Sequence, residues 1–367
     1  MQDRWLSADG YRQYWRGLLL GVLIGMAPAA GGQTCQSAAD MDAATRTALE
    51  TSGKRYFDMA ARGDTVALQQ SSIPAISASF SGIEAAVKDN QAVFSGAQAT
   101  VRPPYFLTAD GNEPLARAEF LCGVFGKLGQ TADSAVFVLN NLPPGKYGLV
   151  ILDVKGSLDS RTLTLIVQPF GPDWKLAGFY AKQAQLGGHD GPWFAQRARE
   201  FKTKGQNRNA WLYYHQAIAL TSPVDFMSTL NTDRLYDEAQ SIQPSDLPAN
   251  GTPIPLTTVV GDSQNVVVQH QQPKAETEQY IVAKAGNTVM MTSVFPLAVG
   301  NDLDVVVKYQ ADDVSDTGKT FQENVAVIKG LLAKFPEFRD AFAGVVARAV
   351  EPTGRDYGSL LLMKDIK

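Results

Sequence analysis

The spacing of apolar residues changes period several times along the chain. Over residues 41–62, Leu49, Tyr56, Met59 and Ala60 fall on one helical face, and Gly63 stands where such a helix ends. Asp64 caps a second, short helix through Leu68, and Phe80, Ile83 and Val87 mark a further amphipathic piece. The pattern then turns to strands, predicted at 98–108, 115–124, 134–141, 146–154, 161–168 and 173–181. Gly, Pro, Asp and Asn clusters separate them, and one antiparallel meander is expected. Within it, Tyr147-Gly148-Leu149-Val150-Ile151-Leu152 is apolar on both faces, as a central strand is. Leu163, Leu165 and Val167 alternate as in a half-buried strand.

From Asp190 helical spacing returns. Phe194, Ala198, Phe201 and Gly205 mark one helix, Ala210, Tyr214 and Ala217 the next, Pro223 closes the pair, and another helix runs near Phe226 to Ala239. Residues 241–257, SIQPSDLPANGTPIPLT, read as a linker. Beyond it, strands are predicted near 257–260, 264–270, 278–284, 287–295 and 303–309. A helix follows with Phe321, Val325, Ile328 and Leu332 on one face, Thr320 and Glu323 as its capping box, and Pro336 as its stop. A hairpin of Phe342–Val350 and Tyr357–Met363 turns through Pro352-Thr353-Gly354. The expected class is α+β: N-terminal helices with a curved, cone-like antiparallel sheet over 36–186, a helical hairpin region over 187–240, and a C-terminal α+β domain over 258–367.

The 367 residues, 45% hydrophobic and 19% charged, suit a folded chain with more than one core. The N-terminus adds an address. Arg4, Arg12 and Arg16 precede the apolar run Gly17–Ala30, which is shorter than the ~20 residues a membrane span needs, and Ala27 and Ala29 supply the small residues of a cleavage site. Residues 1–29 therefore read as a secretory signal peptide, with an uncleaved N-terminal anchor as the alternative; either way the protein is expected in the periplasm, secreted or held at the membrane. No further transmembrane domain is expected. Cleavage would change the net charge from −4 to −5. With no basic stripe in the chain, this balance argues against nucleic acid as a partner.

Cys35 and Cys122 are the two cysteines. In an oxidising compartment they can form one disulfide; two free thiols, or Cys35 as a lipid-attachment residue, are the other readings.

Three resemblances attach to these pieces. Helices before a meander, the Arg62-Gly63-Asp64 junction and the aromatic strand Trp174-Lys175-Leu176-Ala177-Gly178-Phe179-Tyr180 resemble the cone-shaped fold of the NTF2-like superfamily over about 140 residues. The turn Leu142-Pro143-Pro144-Gly145-Lys146-Tyr147 is similar to those of prealbumin-like β-sandwich domains, but three N-terminal helices favour the cone. The 194–223 helices resemble one tetratricopeptide-type hairpin, departing from it at Arg197 and at Pro223, which sits one position late. GGHDGPW, RAREFKTKGQNRNAWLYYHQA, FLCG and WKLAGFY together look like a set of exported bacterial proteins of unknown function over 115–240. That resemblance implies no activity and no catalytic residue.

Chemistry has few footholds. The histidines are His189, His215 and His270, and the chain lacks HExxH, CxxC, GxSxG, Walker and dinucleotide fingerprints, so no cofactor or metal is expected. His189 and Asp190, framed by glycines, are weak catalytic candidates, His189 as a general base; Asp190 equally suits a helix N-cap, with Pro192 in the first turn and Trp193 as an anchor. Trp193, Trp211, Tyr213 and His215 are candidate binding residues beside Asn209 and Tyr214, with core packing as their other reading. Glu113, Glu119, Asp153, Asp302 and Asp304 offer carboxylates that folding could pair as in a glycosidase.

The favoured function is a non-enzymatic envelope or secreted protein that binds a protein or small ligand. The alternatives are a hydrolase- or isomerase-like enzyme with a polar pocket inside the cone, and a structural spacer.

Overall fold

The structure, a computed structural model, describes residues 33–125, 129–157, 159–249, 251–259, 264–265, 281–282 and 285–366. The expected signal segment 1–29 and His270 lie outside the described residues. The fold is α+β, and the chain divides into two compact units. Among the described residues, one comprises 33–195 and 217–238 and the other 196–216 and 239–366.

The first unit opens with strand β1 (Gln33–Gln36) and four helices: α1 (Ala43–Ala61), α2 (Thr65–Gln70), α3 (Pro74–Ser77) and α4 (Ser81–Phe94). Asp42 and Asp64 cap α1 and α2, their carboxylates accepting from the N–H groups of Thr45 and Ala67 at 2.8 and 3.0 Å. Strands β2 (Gln98–Val101), β3 (Tyr105–Ala109), β4 (Leu115–Cys122), β5 (Ala135–Leu142), β6 (Gly145–Lys155), β7 (Ser160–Phe170) and β8 (Asp173–Gln183) follow. The two-residue strands β9 (Gln185–Leu186) and β10 (His189–Asp190) pair with each other, and β11 (Met227–Thr229) returns later in the chain.

These strands form two main sheets where a single meander was expected. One runs β1-β3-β6-β7-β8, with β2 also on β6; the other runs β11-β5-β4. The reason lies in β6. Its Val150, Leu152 and Val154 pack with Leu49, Tyr56, Phe57 and Phe94 of the helices, while Tyr147, Leu149 and Ile151 pack with Phe120 and Phe137 of the second sheet. A strand apolar on both faces needs a cover on each, and β4 and β5 leave the meander to supply one. A register shift at Ile166/Val167, between β7 and β8, bends the main sheet.

Cys35 on β1 and Cys122 at the end of β4 are joined in a disulfide, so the bond staples one sheet to the other across 87 positions of sequence. Free thiols and lipid attachment at Cys35 are thereby set aside.

The second unit contains parts of helices α5 (Gly191–Thr203), α6 (Asn207–Thr221) and α7 (Leu230–Gln240). It also holds β12 (Ile254–Val259), β13 (Gln264–Asn265), β14 (Ile281–Val282), β15 (Ala285–Val299), β16 (Asp302–Gln310), α8 (Thr317–Lys334), β17 (Gly344–Val350) and β18 (Asp356–Leu362). Its sheet is ordered β12-β15-β16-β17-β18, antiparallel except for the β16–β17 pair that α8 connects. Asp316 caps α8, accepting from Lys319 N–H at 2.9 Å; the expected cap Thr320 lies one turn inside, buried. The inner face of α8 also differs from expectation. Phe321 is exposed, and Asn324 is buried among hydrogen bonds from Tyr309 and to Ser359, at 2.9 Å each. Gly330 lies so close to β12 that a Cβ would stand 2.4 Å from the Thr257 carbonyl oxygen.

The expected linker 241–257 is held at its centre. Arg208 grips Asp246 through Nε and NH2, bonds Glu337 at 2.7 Å, and draws the Asp246 carboxyl below its usual range; Leu247 beside it is buried, and β12 begins at Ile254.

Three outcomes follow. Reducing the disulfide, or Cys122→Ser, is expected to cost roughly 2–5 kcal/mol of stability, read from urea unfolding with and without reductant. Gly330→Ala is expected to destabilise by about 1–3 kcal/mol despite alanine's better helix propensity. Gly82→Ala in α4, where a Cβ meets nothing within 4 Å, should be neutral or stabilising under the same denaturation.

Candidate functional site

The glycine-framed motif resolves into a helix start. Gly187 and Gly188 adopt positive φ values of 57° and 77°, which turn the chain between β9 and β10. Asp190 then accepts from Trp193 N–H at 3.0 Å, an N-cap for α5. His189 lies ring to ring on Trp193, centroids 3.7 Å apart and 8° from parallel. Gly191 meets the end of α6: a Cβ there would stand 2.3 Å from Thr221 Oγ1. The His189 ring and the Asp190 carboxylate thus have separate occupations, stacking and capping, and no acid–base pair is built from them.

The aromatic helix face is interior. Trp211, Tyr213 and Tyr214 are buried, so the exposed rings that a docking role requires are not provided by these residues. Tyr213 donates to the Ala341 carbonyl at 2.7 Å, lies against Phe201 and Phe342, and burial pushes its phenol up to about 12. Asn209 donates to the Glu337 carbonyl at 2.6 Å. His215 is tilted against Trp211 at 4.2 Å, its Nε2 is buried with no hydrogen-bond partner, and burial depresses its pKa to about 4. It is neutral imidazole at neutral pH.

The candidate carboxylates go to different places. Asp153 is held bidentately by Arg102, and Glu119 receives Arg117 at 2.7 Å. Glu113 is exposed. Asp302 and Asp304 are two residues apart on one face of β16; Asp302 is exposed, and Asp304 is buried with its carboxyl raised by burial first and by Asp302 second. Gly344, opposite Asp304 on β17, leaves room for that carboxyl: a Cβ there would come within 2.7 Å of its Oδ1.

The interior expected to hold a polar pocket in the first unit is packed with rings. Phe57, Phe94 and Phe179 meet edge to face at 5.9 and 6.4 Å, and the Tyr56 hydroxyl among them is engaged by the carbonyls of Ser71 and Trp174.

Concave surface is found in the second unit, as a groove of about 810 Å3 between α8 and the β12–β15–β16 sheet. Thr258, Val259 and residues 287–290 form one wall, Lys319, Gln322, Glu323, Ala326 and Lys329 of α8 the other, and Asp312 and Asp313 one end. The helix wall follows from periodicity, since 319, 322, 326 and 329 recur on one face. Lys319 lies 3.9 Å from Glu323. Asp313 accepts from the Ser315 hydroxyl at 2.7 Å and its N–H at 2.9 Å, which lowers its carboxyl, and Arg355 stands 3.2 Å away. At the base, Tyr309 gives its proton to Asn324, and burial, then Glu323, holds its phenol far above the ordinary value.

Comparison with family models, curated proteins and solved structures gives no match to this chain. Function has to be argued from the groove itself. Among the described residues, no histidine, cysteine or serine lines it, and no group of three or more His, Cys, Asp or Glu is placed to hold a metal ion. What it offers is amides from Asn287, Gln310 and Gln322, both signs of charge, and apolar surface from Val259, Val289 and Met290. Amides, charges of both signs and apolar surface are groups suited to recognition. Sequence reasoning missed the groove. Lys319, Gln322 and Lys329 look in sequence like any solvated helix face, and only the fold brings them opposite β12 and β15.

His215 sets a pH dependence. The folded protein refuses the proton that the unfolded chain takes up near pH 6.5, so its contribution is complete above that pH and is lost as pH falls toward about 4. The loss should reach about 3 kcal/mol, measured by urea unfolding at several pH values across that interval, and His215→Phe should remove this part of the slope. An unchanged slope in the variant would contradict the assignment.

Proposed function

We propose that this is an exported, non-catalytic binding protein whose recognition element is the α8 groove. The groove carries the reading: about 810 Å3 is within the range of ligand sites, and its lining pairs amides and both charge signs with apolar surface on the β12–β15 wall. The ligand class that matches is a peptide segment with charges of both signs. Lys319 and Lys329 would receive its carboxylates, Asp312 and Asp313 its cations, and the amides its backbone.

Export is supported by the basic start with a short apolar run and by the Cys35–Cys122 disulfide, a bond that persists in oxidising compartments. Among the described residues, no helix is long and apolar enough to cross a membrane. The first unit is read as NTF2-like, a reading supported by its helices-before-sheet order, with a tetratricopeptide-like hairpin after it. It serves as a rigid body; an enzyme working inside it is disfavoured by the rings that fill its interior.

The test is equilibrium binding of the mature chain to a library of fluorescent peptides carrying both Lys and Glu. Wild type should bind a subset saturably. Gln322→Trp, which fills the groove from an exposed position without touching the core, should weaken that binding at least about tenfold, near 1.4 kcal/mol, at unchanged far-ultraviolet dichroism. Equal affinity in the variant would remove the groove from the reading.

A further inference from the structure

At one end of the second unit's sheet two connections leave side by side, since Gln310 pairs with Val350 and Ala311 N–H donates to the Val350 carbonyl at 3.0 Å. One is Ala311-Asp312-Asp313-Val314-Ser315-Asp316, which leads from β16 into α8 and supplies the acidic end of the groove. The other is the β17–β18 turn Glu351-Pro352-Thr353-Gly354-Arg355. It is closed by Glu351 N–H on the Arg355 carbonyl and Gly354 N–H on the Glu351 carbonyl, each at 2.9 Å.

The buried Glu351 carboxylate ties the two together. Its Oε1 accepts from Val314 N–H at 2.7 Å and its Oε2 from the Thr353 hydroxyl at 2.9 Å. It also receives Arg355, Nε at 3.1 Å and NH2 at 2.6 Å. One carboxylate thus fixes both the backbone beside Asp313 and the guanidinium, and Arg355 NH2 stands 3.2 Å from Asp313 Oδ1. An exposed ion pair by itself contributes little, because two side chains have to be held in one geometry. Here Glu351 holds the arginine, and Ser315 holds the aspartate through its hydroxyl at 2.7 Å and its N–H at 2.9 Å.

The other charges of the lining differ in their commitments. Lys319 and Glu323 are 3.9 Å apart, and Lys329 is engaged as well. Among the described residues, no hydrogen bond or ion pair reaches the exposed Asp312 carboxylate. We propose that Arg355 determines the specificity of the groove by occupying Asp313, so that the acidic end takes a single cationic group, on Asp312. This rests on the groove being the recognition element. The ligand class narrows to a peptide with one isolated positive group at that end, a Lys or Arg side chain or a free amino terminus. A second cation beside the first would have to displace a guanidinium anchored at Glu351 or stand against it well inside the screening length of about 8 Å.

The experiment is fluorescence anisotropy of the mature chain with derivatives of one binder from the Lys/Glu peptide set. Norleucine replaces lysine to leave one Lys or none, a third form carries two adjacent Lys, all are N-acetylated, and the form without Lys is also made with a free amino terminus. On wild type, one cation should tighten binding about threefold and a second, adjacent Lys should add less than about 1.5-fold. Whether the gain comes from Lys or from the free amine tells side chain from terminus. Asp312→Asn should abolish it. Arg355→Gln releases Asp313, so the second Lys should then add about threefold at unchanged far-ultraviolet dichroism, and Arg355→Lys, which restores the charge, should return the wild-type pattern. A second Lys worth as much as the first on wild type overturns the proposal. So does a gain that survives Asp312→Asn, or an Arg355→Gln variant that still gains nothing from the second Lys. Failure of every peptide to bind wild type removes the groove reading as well, whereas saturable binding indifferent to cation number overturns this assignment alone.

Discussion

A strand that is apolar on both faces has to be covered twice, and in the first unit that requirement falls on β6. Val150, Leu152 and Val154 point to the helices while Tyr147, Leu149 and Ile151 point to the second sheet, and all six are buried. Removing either layer would expose three large apolar side chains, each worth about 1.5–3 kcal/mol of burial, a sum comparable with the whole stability of a domain. The rest of the unit follows. Gly148 opens room on β6 for Leu49, since a Cβ there would stand 2.1 Å from that side chain's Cδ2. The disulfide then fixes the second layer to the first, because β1 belongs to one sheet and β4 to the other.

Filling the unit this way packs its interior with apolar rings. An active site needs polar groups facing an accessible space, and the buried aromatics here meet one another, with the Tyr56 hydroxyl committed to backbone carbonyls. The second unit is organised differently. One helix covers its sheet, and the buried polar chain Tyr309–Asn324–Ser359 ties that helix to two strands. Each member has its partner, which makes the chain a fixed registration point for α8 and no reservoir of reactive groups. With α8 fixed there and at Gly330, the polar face it turns to β12 and β15 is held open, and the groove results.

Much of this was legible in the sequence where local chemistry decides. Asp64 and Asp190 cap helices because a short carboxylate before a helical run has few better uses, and the two-faced apolar character of β6 announced a central strand. Where distant partners decide, the reading failed. Thr320 and Glu323 satisfy a capping pattern, yet Asp316, three residues after Asp313, starts the helix earlier. Phe321 looked like core and is exposed, because the inner positions went to Thr320 and Asn324, whose hydrogen-bond partners lie on strands far away in sequence. The single meander failed for the same kind of reason: turn signals show where strands end, whereas the choice of sheet depends on which apolar face still needs cover. Trp211, Tyr213 and His215 carry no mark in sequence that tells a docking ring from a core ring.

Cysteine placement bears on how the two units could have been selected. Both cysteines lie in the first unit, whose two sheets meet largely through side-chain packing and which therefore gains from a covalent tie between them. The second unit has no cysteine; there the α8 crossover between β16 and β17 and the Tyr309–Asn324–Ser359 hydrogen bonds tie helix to sheet. The disulfide thus acts on the first unit, and the groove lies in the second. The groove's shape depends instead on hydrogen bonds and one glycine contact. Substitutions at exposed groove-lining positions of α8 such as Gln322 should for that reason be tolerated structurally while changing the groove's lining, the usual condition under which a surface diversifies on a constant fold.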